Sequence, residues 1–115
     1  MYRVASGAIG DSLDLSPISP VADAAGVVAI QVAAATVFVD ERISDYAVRI
    51  VRATRAWPGV ALGAGPRGGL ALVRASRARA LLEGRGFVTP DDVKAIALPA
   101  LRHRILLSPE VELEG

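Results

Sequence analysis

The pattern of hydrophobic and polar positions predicts four helices joined by short extended pieces. The clearest helical period follows Asp40, a candidate N-cap, with Ile43, Ala47, Val51 and Thr54 at positions i, i+4, i+8 and i+11. This second helix should end before Trp57, since Pro58 disfavours helical geometry in the preceding residue. Its opposite face is polar and holds Arg42, Asp45, Arg49 and Arg52.

The first predicted helix covers about Val21 to Ala35 and is rich in alanine and β-branched residues. Because it has almost no polar face, we expect it to be buried on most of its surface. A membrane-spanning or export segment is not expected here, since Asp23, Gln31 and Thr36 interrupt the apolar run and alanine partitions weakly into lipid.

The third helix is predicted to begin after the turn Gly63–Gly69, with Pro66 at its first position. It should end near Glu83, where Gly84 suits the C′ position. Small side chains recur along it at helical spacing, which predicts a surface against which another helix packs. These residues are Ala71, Ala75, Ala78 and Leu82.

The fourth helix has the strongest start signal in the chain. Thr89 is the N-cap, Pro90 the first helical residue and Asp92 the partner in a capping box. Pro99 should break or kink this helix, and a further turn should carry the segment 101–104. The extended pieces 37–39 and 86–88, each of which precedes a capped helix, could pair as a minimal β-ladder.

Length and composition complete the predicted architecture. The chain has 115 residues, with 52% hydrophobic and only 4% aromatic side chains, which favours one mainly α domain built as a small bundle of about four helices, with at most a minimal two-stranded β-ladder. Residues 1–20 are interpreted as a linker or extended lead-in, 21–107 as the helical domain and 108–115 as an exposed acidic tail. With no cysteine and one histidine, no metal site is expected.

Charge is unevenly distributed along the chain. The segment 42–104 carries twelve lysine or arginine residues against four acids, although the whole chain has a net charge of only +1. A basic centre suggests an anionic partner, and an ordinary solvated arginine-rich surface is the alternative. An arginine-rich module that binds nucleic acid, or a helical dimerisation module, therefore remains a second functional hypothesis.

The turn that opens the third helix is the best candidate for chemistry. Gly63, Gly65 and Gly68 match the G-x-G-x-x-G dinucleotide fingerprint, but the strands that this fingerprint requires are missing. A helix N-terminus nevertheless favours phosphate, and Arg67 adds a guanidinium that can bind two phosphate oxygens. Arg67 is therefore either a phosphate-binding residue or a surface arginine paired with a carboxylate.

Catalysis by this chain alone is not expected. No G-x-x-x-x-G-K-[ST] loop occurs, so the chain cannot hydrolyse a nucleotide through a P-loop of its own. His103 lies between two arginines with no serine, cysteine or carboxylate placed to form a catalytic group, and Asp91 and Asp92 fit helix capping better than acid–base chemistry. We therefore assign no catalytic residue.

Four motifs in order resemble the C-terminal lid of MoxR-family AAA+ ATPases, which are chaperone-like assembly machines. They are the segments 46–55, 63–68, 87–94 and 101–104, and the resemblance covers about residues 21–107. It implies an AAA+ lid in which Arg67 is the sensor-2 residue that reaches the γ-phosphate, with Gly63, Gly65 and Pro66 forming the helix-start turn. Gly65 and Gly68 depart from the serine and alanine usual in the family, which removes a capping hydroxyl at Gly65.

The resemblance also implies partners. ATP and Mg would be bound by the parent protein, and this chain alone would bind neither tightly. The expected partners are the P-loop AAA+ core of the same polypeptide and neighbouring subunits of a hexameric ring, with no membrane and no nucleic acid, in the cytoplasm. Since the Walker motifs are absent and family members usually continue past the acidic tail, the chain is expected to be a fragment at both ends.

Overall fold

The computed structural model describes residues 16–113, which form a mainly α-helical domain with one small sheet, as the sequence predicts. The predicted lead-in falls mostly on residues 1–15, and the end of the tail on 114–115, outside the described residues. The elements in order are α1 (Ala24–Thr36), α2 (Glu41–Ala56), β1 (Val60–Leu62), α3 (Pro66–Leu82), α4 (Pro90–Leu101), a 3₁₀ turn (Arg102–Arg104), β2 (Leu106–Leu107) and α5 (Pro109–Leu113).

Helix α3 lies at the centre of the domain. It packs most extensively against α4 and also contacts α1 and α2. The core between these helices consists of small and aliphatic side chains, because the chain has almost no aromatic residues to fill it. The buried hydrophobic residues are Val37, Ala47, Val51, Ala64, Leu72, Ala80, Val88, Val93 and Leu101.

The buried face of α3 lies beside the predicted packing stripe and shares no residue with it. Leu82, which ends the predicted stripe, is 86% exposed. The buried row is instead Gly68, Leu72, Ser76 and Ala80. Ser76 can be buried because its hydroxyl donates to the Leu72 carbonyl oxygen at 2.8 Å. Both rows contain small residues, so the pattern within α3 could not specify which row faces α2 and α4.

Helix α1 is not buried, contrary to prediction. None of its residues is buried, and Val28, Ile30 and Val32 are each more than half exposed. The helix begins after Asp23, whose side chain accepts a hydrogen bond from the Gly26 amide at 2.7 Å. The prediction of burial was wrong because a helix is buried on most of its surface only when other elements cover all its sides. Helix α1 packs mainly against α3. Among residues 16–113, no helix is both long and apolar enough to cross a membrane.

The strand pairing also differs from the predicted ladder. The extended pieces around Phe38 and Phe87 form only a single parallel bridge, in which the Phe38 amide donates to Gly86 and the Val88 amide donates to Phe38. The two-stranded sheet is instead antiparallel and joins β1 to β2, with Val60 opposite Leu107. Strand β2 has only two residues, which is too short for an alternating pattern to reveal it.

The start of α4 follows the predicted capping box. Thr89 accepts a hydrogen bond from the Asp92 amide, and the Asp92 carboxylate accepts one from the Thr89 amide at 2.8 Å. The helix does not break at Pro99 but runs to Leu101 and then tightens into the 3₁₀ turn. Only two residues of the helix follow Pro99, so the lost hydrogen bond and the steric clash of the proline ring affect its last turn alone.

The end of α3 is tied to the start of α4 by a buried carboxylate. Gly84 has the positive φ of 71° predicted for a C′ glycine, and the next amide, of Arg85, donates to the Ala80 carbonyl oxygen. This turn brings the Arg85 guanidinium to Asp92 with two short hydrogen bonds of 2.6 and 2.7 Å. Hydrogen bonds from Arg85 lower the pKa of Asp92 well below its usual range, with further lowering by Thr89.

Candidate functional site

The loop before α3 is fixed to the end of α2. The Arg55 Nε donates to the Ala64 carbonyl oxygen, and the Ala64 amide donates to the Thr54 hydroxyl, both at 2.9 Å. Ala64 itself is completely buried. The two bonds hold the loop on both sides of Ala64, so the direction in which α3 starts is set by α2.

The two glycines of this loop have different structural roles. A Cβ added at Gly63 would lie 2.6 Å from the backbone nitrogen and Cα of Arg55, so only glycine permits this close approach. Gly65 is the N-cap of α3, with φ −88° and ψ −176°, and no side-chain hydrogen bond caps the helix there. No atom lies within 4 Å of a Cβ added at Gly65.

Replacing Gly65 by serine is therefore expected to stabilise the domain by about 0.5 kcal/mol, because a serine hydroxyl can accept from the first turn of α3 and the unfolded chain loses freedom. The matched variant Gly63→Ser should destabilise it by about 1–3 kcal/mol through overpacking against Arg55. Urea denaturation of both variants measures the difference. If Gly65→Ser lowers the free energy of unfolding, the assignment of Gly65 as an uncapped N-cap is wrong.

Arg67 occupies the second position of α3 and is exposed. It lines a cleft of about 460 Å³ together with Leu70, Ala71, Arg74 and Arg104. In residues 16–113, the arginines that form ion pairs are Arg42, Arg79 and Arg85. Within that part of the chain, Arg67 is in no ion pair.

Sequence reasoning did not identify the two other arginines of this cleft. Arg74 lies seven residues after Arg67, so both project from similar faces of α3, and that spacing was the available signal. Arg104 comes from the 3₁₀ turn after α4, and only the folded chain brings it to α3.

His103 is exposed in the same turn. In the described part of the chain, no three His, Cys, Asp or Glu residues are grouped to hold a metal ion.

Two larger grooves contain less suitable chemistry for phosphate. One, of about 600 Å³, lies between α2 and α3 and is mainly apolar. The other, of about 630 Å³, lies beside the Phe38–Phe87 bridge and includes the Asp40 carboxylate, which already pairs with Arg42 at 3.0 Å. The smaller cleft at Arg67 is richer in guanidiniums, which favour an anion: three of its five lining residues are arginines, against two of ten in the groove between α2 and α3.

Comparison with known proteins identifies a family and several relatives with this fold. The family model described as "AAA lid domain" matches residues 52–115, more than half of the chain. A crystal structure from Cytophaga hutchinsonii, described as that of a "putative ATPase", superposes with a TM-score of 0.73 at 31% identity, over 79% of this chain and 30% of that one.

Two curated relatives are similar over about two thirds of the chain. The Bacillus subtilis protein YeaC is 47% identical over 76 residues, which are 66% of this chain and 24% of YeaC. Chaperone MoxR1 of Mycobacterium tuberculosis is 40% identical over 90 residues, with 69% of this chain and 23% of that protein covered. The chain therefore spans about a quarter of the length of these relatives.

Proposed function

Because the chain belongs to the AAA lid domain family, as a lid of the MoxR type, we propose that Arg67 is a sensor-2 residue that contacts the γ-phosphate of ATP. The ATP would be bound by a separate P-loop core of the same polypeptide. Loss of the γ-phosphate on hydrolysis would release Arg67 and allow the lid to move relative to that core. The chain would in this way couple hydrolysis to motion without carrying out the chemistry.

One observation carries this proposal: Arg67 is exposed at the N-terminal turn of α3, and within residues 16–113 it has no ion-pair partner. The positive end of the helix dipole and the guanidinium both favour a phosphate at this place. The loop held by Arg55 and Thr54 fixes the start of α3, so movement of the bound phosphate would be transmitted to α2 as well.

The groups present suit the phosphates of ATP, since the cleft offers planar donors and no carboxylate to repel them. When bound, ATP supplies the phosphoanhydride bond that is hydrolysed, and the role of this chain is to bind and orient the terminal phosphate. The ligands of Mg would come from the P-loop core. We further propose that this core and neighbouring subunits of a hexameric ring are the partners of the lid, and that the assembly works in the cytoplasm.

The proposal that the P-loop core, and not this chain, hydrolyses ATP is tested by an ATPase assay on the purified 115-residue chain. We expect no turnover above background, because the chain has no P-loop to bind and activate ATP. A polypeptide that contains this chain and the proposed P-loop core, assayed in parallel, should hydrolyse ATP. Turnover that copurifies with the short chain and increases in proportion to its concentration would contradict the proposal.

A further inference from the structure

The cleft at Arg67 brings together three guanidinium groups from separate parts of the chain. Arg67 comes from the first turn of α3, Arg74 from two turns later, and Arg104 from the 3₁₀ turn after α4. Leu70 and Ala71 form the floor between them. The site therefore exists only in the folded domain, and α4 helps to form it.

Among residues 16–113, no acidic side chain lies at this cleft. The cleft is lined by no Asp or Glu, and in the part of the chain that the structure describes, none of its three arginines takes part in an ion pair. Arg79 and Arg85 contrast with them, since both lie beside the Asp92 carboxylate. Three like charges around one cleft repel each other, and a bound anion would offset that repulsion by attracting each guanidinium.

Arg104 lies beside Gly68 in the first turn of α3. A Cβ added at Gly68 would lie 3.6 Å from Cδ of Arg104 and 3.2 Å from Cδ2 of Leu101. The aliphatic stem of Arg104 thus packs on the first turn of α3, beside Gly68. Leu101 is buried beneath it and anchors the turn that carries Arg104.

The spacing of Arg67 and Arg74 along α3 indicates the class of ligand. Arg67 and Arg74 are seven residues apart on α3, a rise of about 10 Å along the helix. A ligand with several linked phosphates presents charge along such a length, whereas one inorganic phosphate does not. We propose that Arg74 and Arg104 bind the polyphosphate chain of a nucleoside triphosphate together with Arg67. This inference rests on the proposed function and assigns two further residues to the same site.

The inference is tested by titrating inorganic triphosphate into the 115-residue chain at low salt, followed by amide chemical shifts in NMR spectra. We expect Arg74→Gln and Arg104→Gln each to weaken binding roughly tenfold, because each removes a charge-assisted hydrogen bond. Arg102→Gln is the matched control, since Arg102 is exposed in the same 3₁₀ turn as Arg104 but does not line the cleft. It should bind triphosphate like the wild type.

Melting curves followed by circular dichroism establish that each variant is folded, and all three replaced side chains are exposed. The inference is overturned if Arg74→Gln and Arg104→Gln bind like the wild type, if Arg102→Gln weakens binding equally, or if the wild type does not bind triphosphate. These outcomes are separate from the sensor assignment. Suppose that triphosphate binding needs Arg74 and Arg104, but that replacing Arg67 leaves the ATP turnover of the lid joined to its P-loop core unchanged. The binding site for polyphosphate would then stand, and the sensor-2 role of Arg67 would be rejected.

Discussion

In a polypeptide that joins this chain to the proposed P-loop core, replacing Arg67 by alanine is expected to lower ATP turnover roughly 100-fold while the lid stays folded. The guanidinium stands at the start of a helix that α2 holds in place, so it can stabilise charge that develops on the transferred phosphoryl group. The Arg67 side chain is exposed and forms no ion pair in residues 16–113, which explains why its removal should not affect folding.

The measurement is kcat at saturating ATP, with the melting temperature of each variant as a check on folding. Arg102→Ala is the control, because it removes an exposed arginine of the same domain that lies outside the cleft. Arg67→Lys should be intermediate, since lysine retains the charge but lacks the planar fork. Near-normal turnover of Arg67→Ala would reject the assignment of Arg67 as sensor.

Replacing Asp92 by asparagine is expected to cost about 2 kcal/mol in the free energy of unfolding. The Asp92 side chain is 2% exposed and accepts hydrogen bonds from Arg85 and from the Thr89 amide and hydroxyl. The amide would leave Arg85 without its charged partner. The expected cost lies below that of a fully buried pair because Arg85 and Arg79 are 29% and 40% exposed.

Urea denaturation at neutral pH measures this loss, and Asp91→Asn serves as its control. Asp91 is the neighbouring residue in the first turn of α4 but is exposed, so its replacement should cost less than about 1 kcal/mol. An Asp92→Asn chain as stable as the wild type would show that the buried carboxylate does not hold α3 to α4.

The effect of Asp92→Asn should also depend on pH in a defined direction. The pKa of Asp92 is lowered in the folded state, chiefly by hydrogen bonds from Arg85, and is about 3.9 in the unfolded chain. The contribution of the ionised Asp92 carboxylate to the free energy of unfolding is thus present above about pH 4. It is lost as the pH falls toward the pKa of Asp92 in the folded state. Wild type and Asp92→Asn should therefore differ more at pH 7 than at pH 3.

Local signals in the sequence were enough to predict most helix ends. Asp40, Thr89 and Gly84 act as the cap residues that their side chains or backbone freedom suggest, because caps depend on residues three or four positions apart. The start of α3 was predicted from Pro66 in the same way. These features involve one turn of backbone and so can be recognised without knowing the tertiary contacts.

Features that depend on distant contacts were not predictable in this way. The burial of Leu72 in place of the neighbouring small-residue stripe is decided by where α2 and α4 lie, and the exposure of Val28 by the absence of a covering element among residues 16–113. For the same reason, Arg67 was identified as a candidate from its helix start, while Arg104 was not. Its approach to α3 depends on the turn after α4, which follows the buried Leu101 and lies beside Gly68.

The central claim is that Arg67 distinguishes ATP from ADP, and the most direct test is to compare both nucleotides by calorimetry on the polypeptide that joins this chain to the proposed P-loop core. We expect Arg67→Ala to bind a non-hydrolysable ATP analogue roughly tenfold more weakly than the wild type does, and ADP with unchanged affinity, because the lost contact is to the γ-phosphate. Equal affinities of wild type and Arg67→Ala for the analogue, or an equal loss for both nucleotides, would contradict the claim.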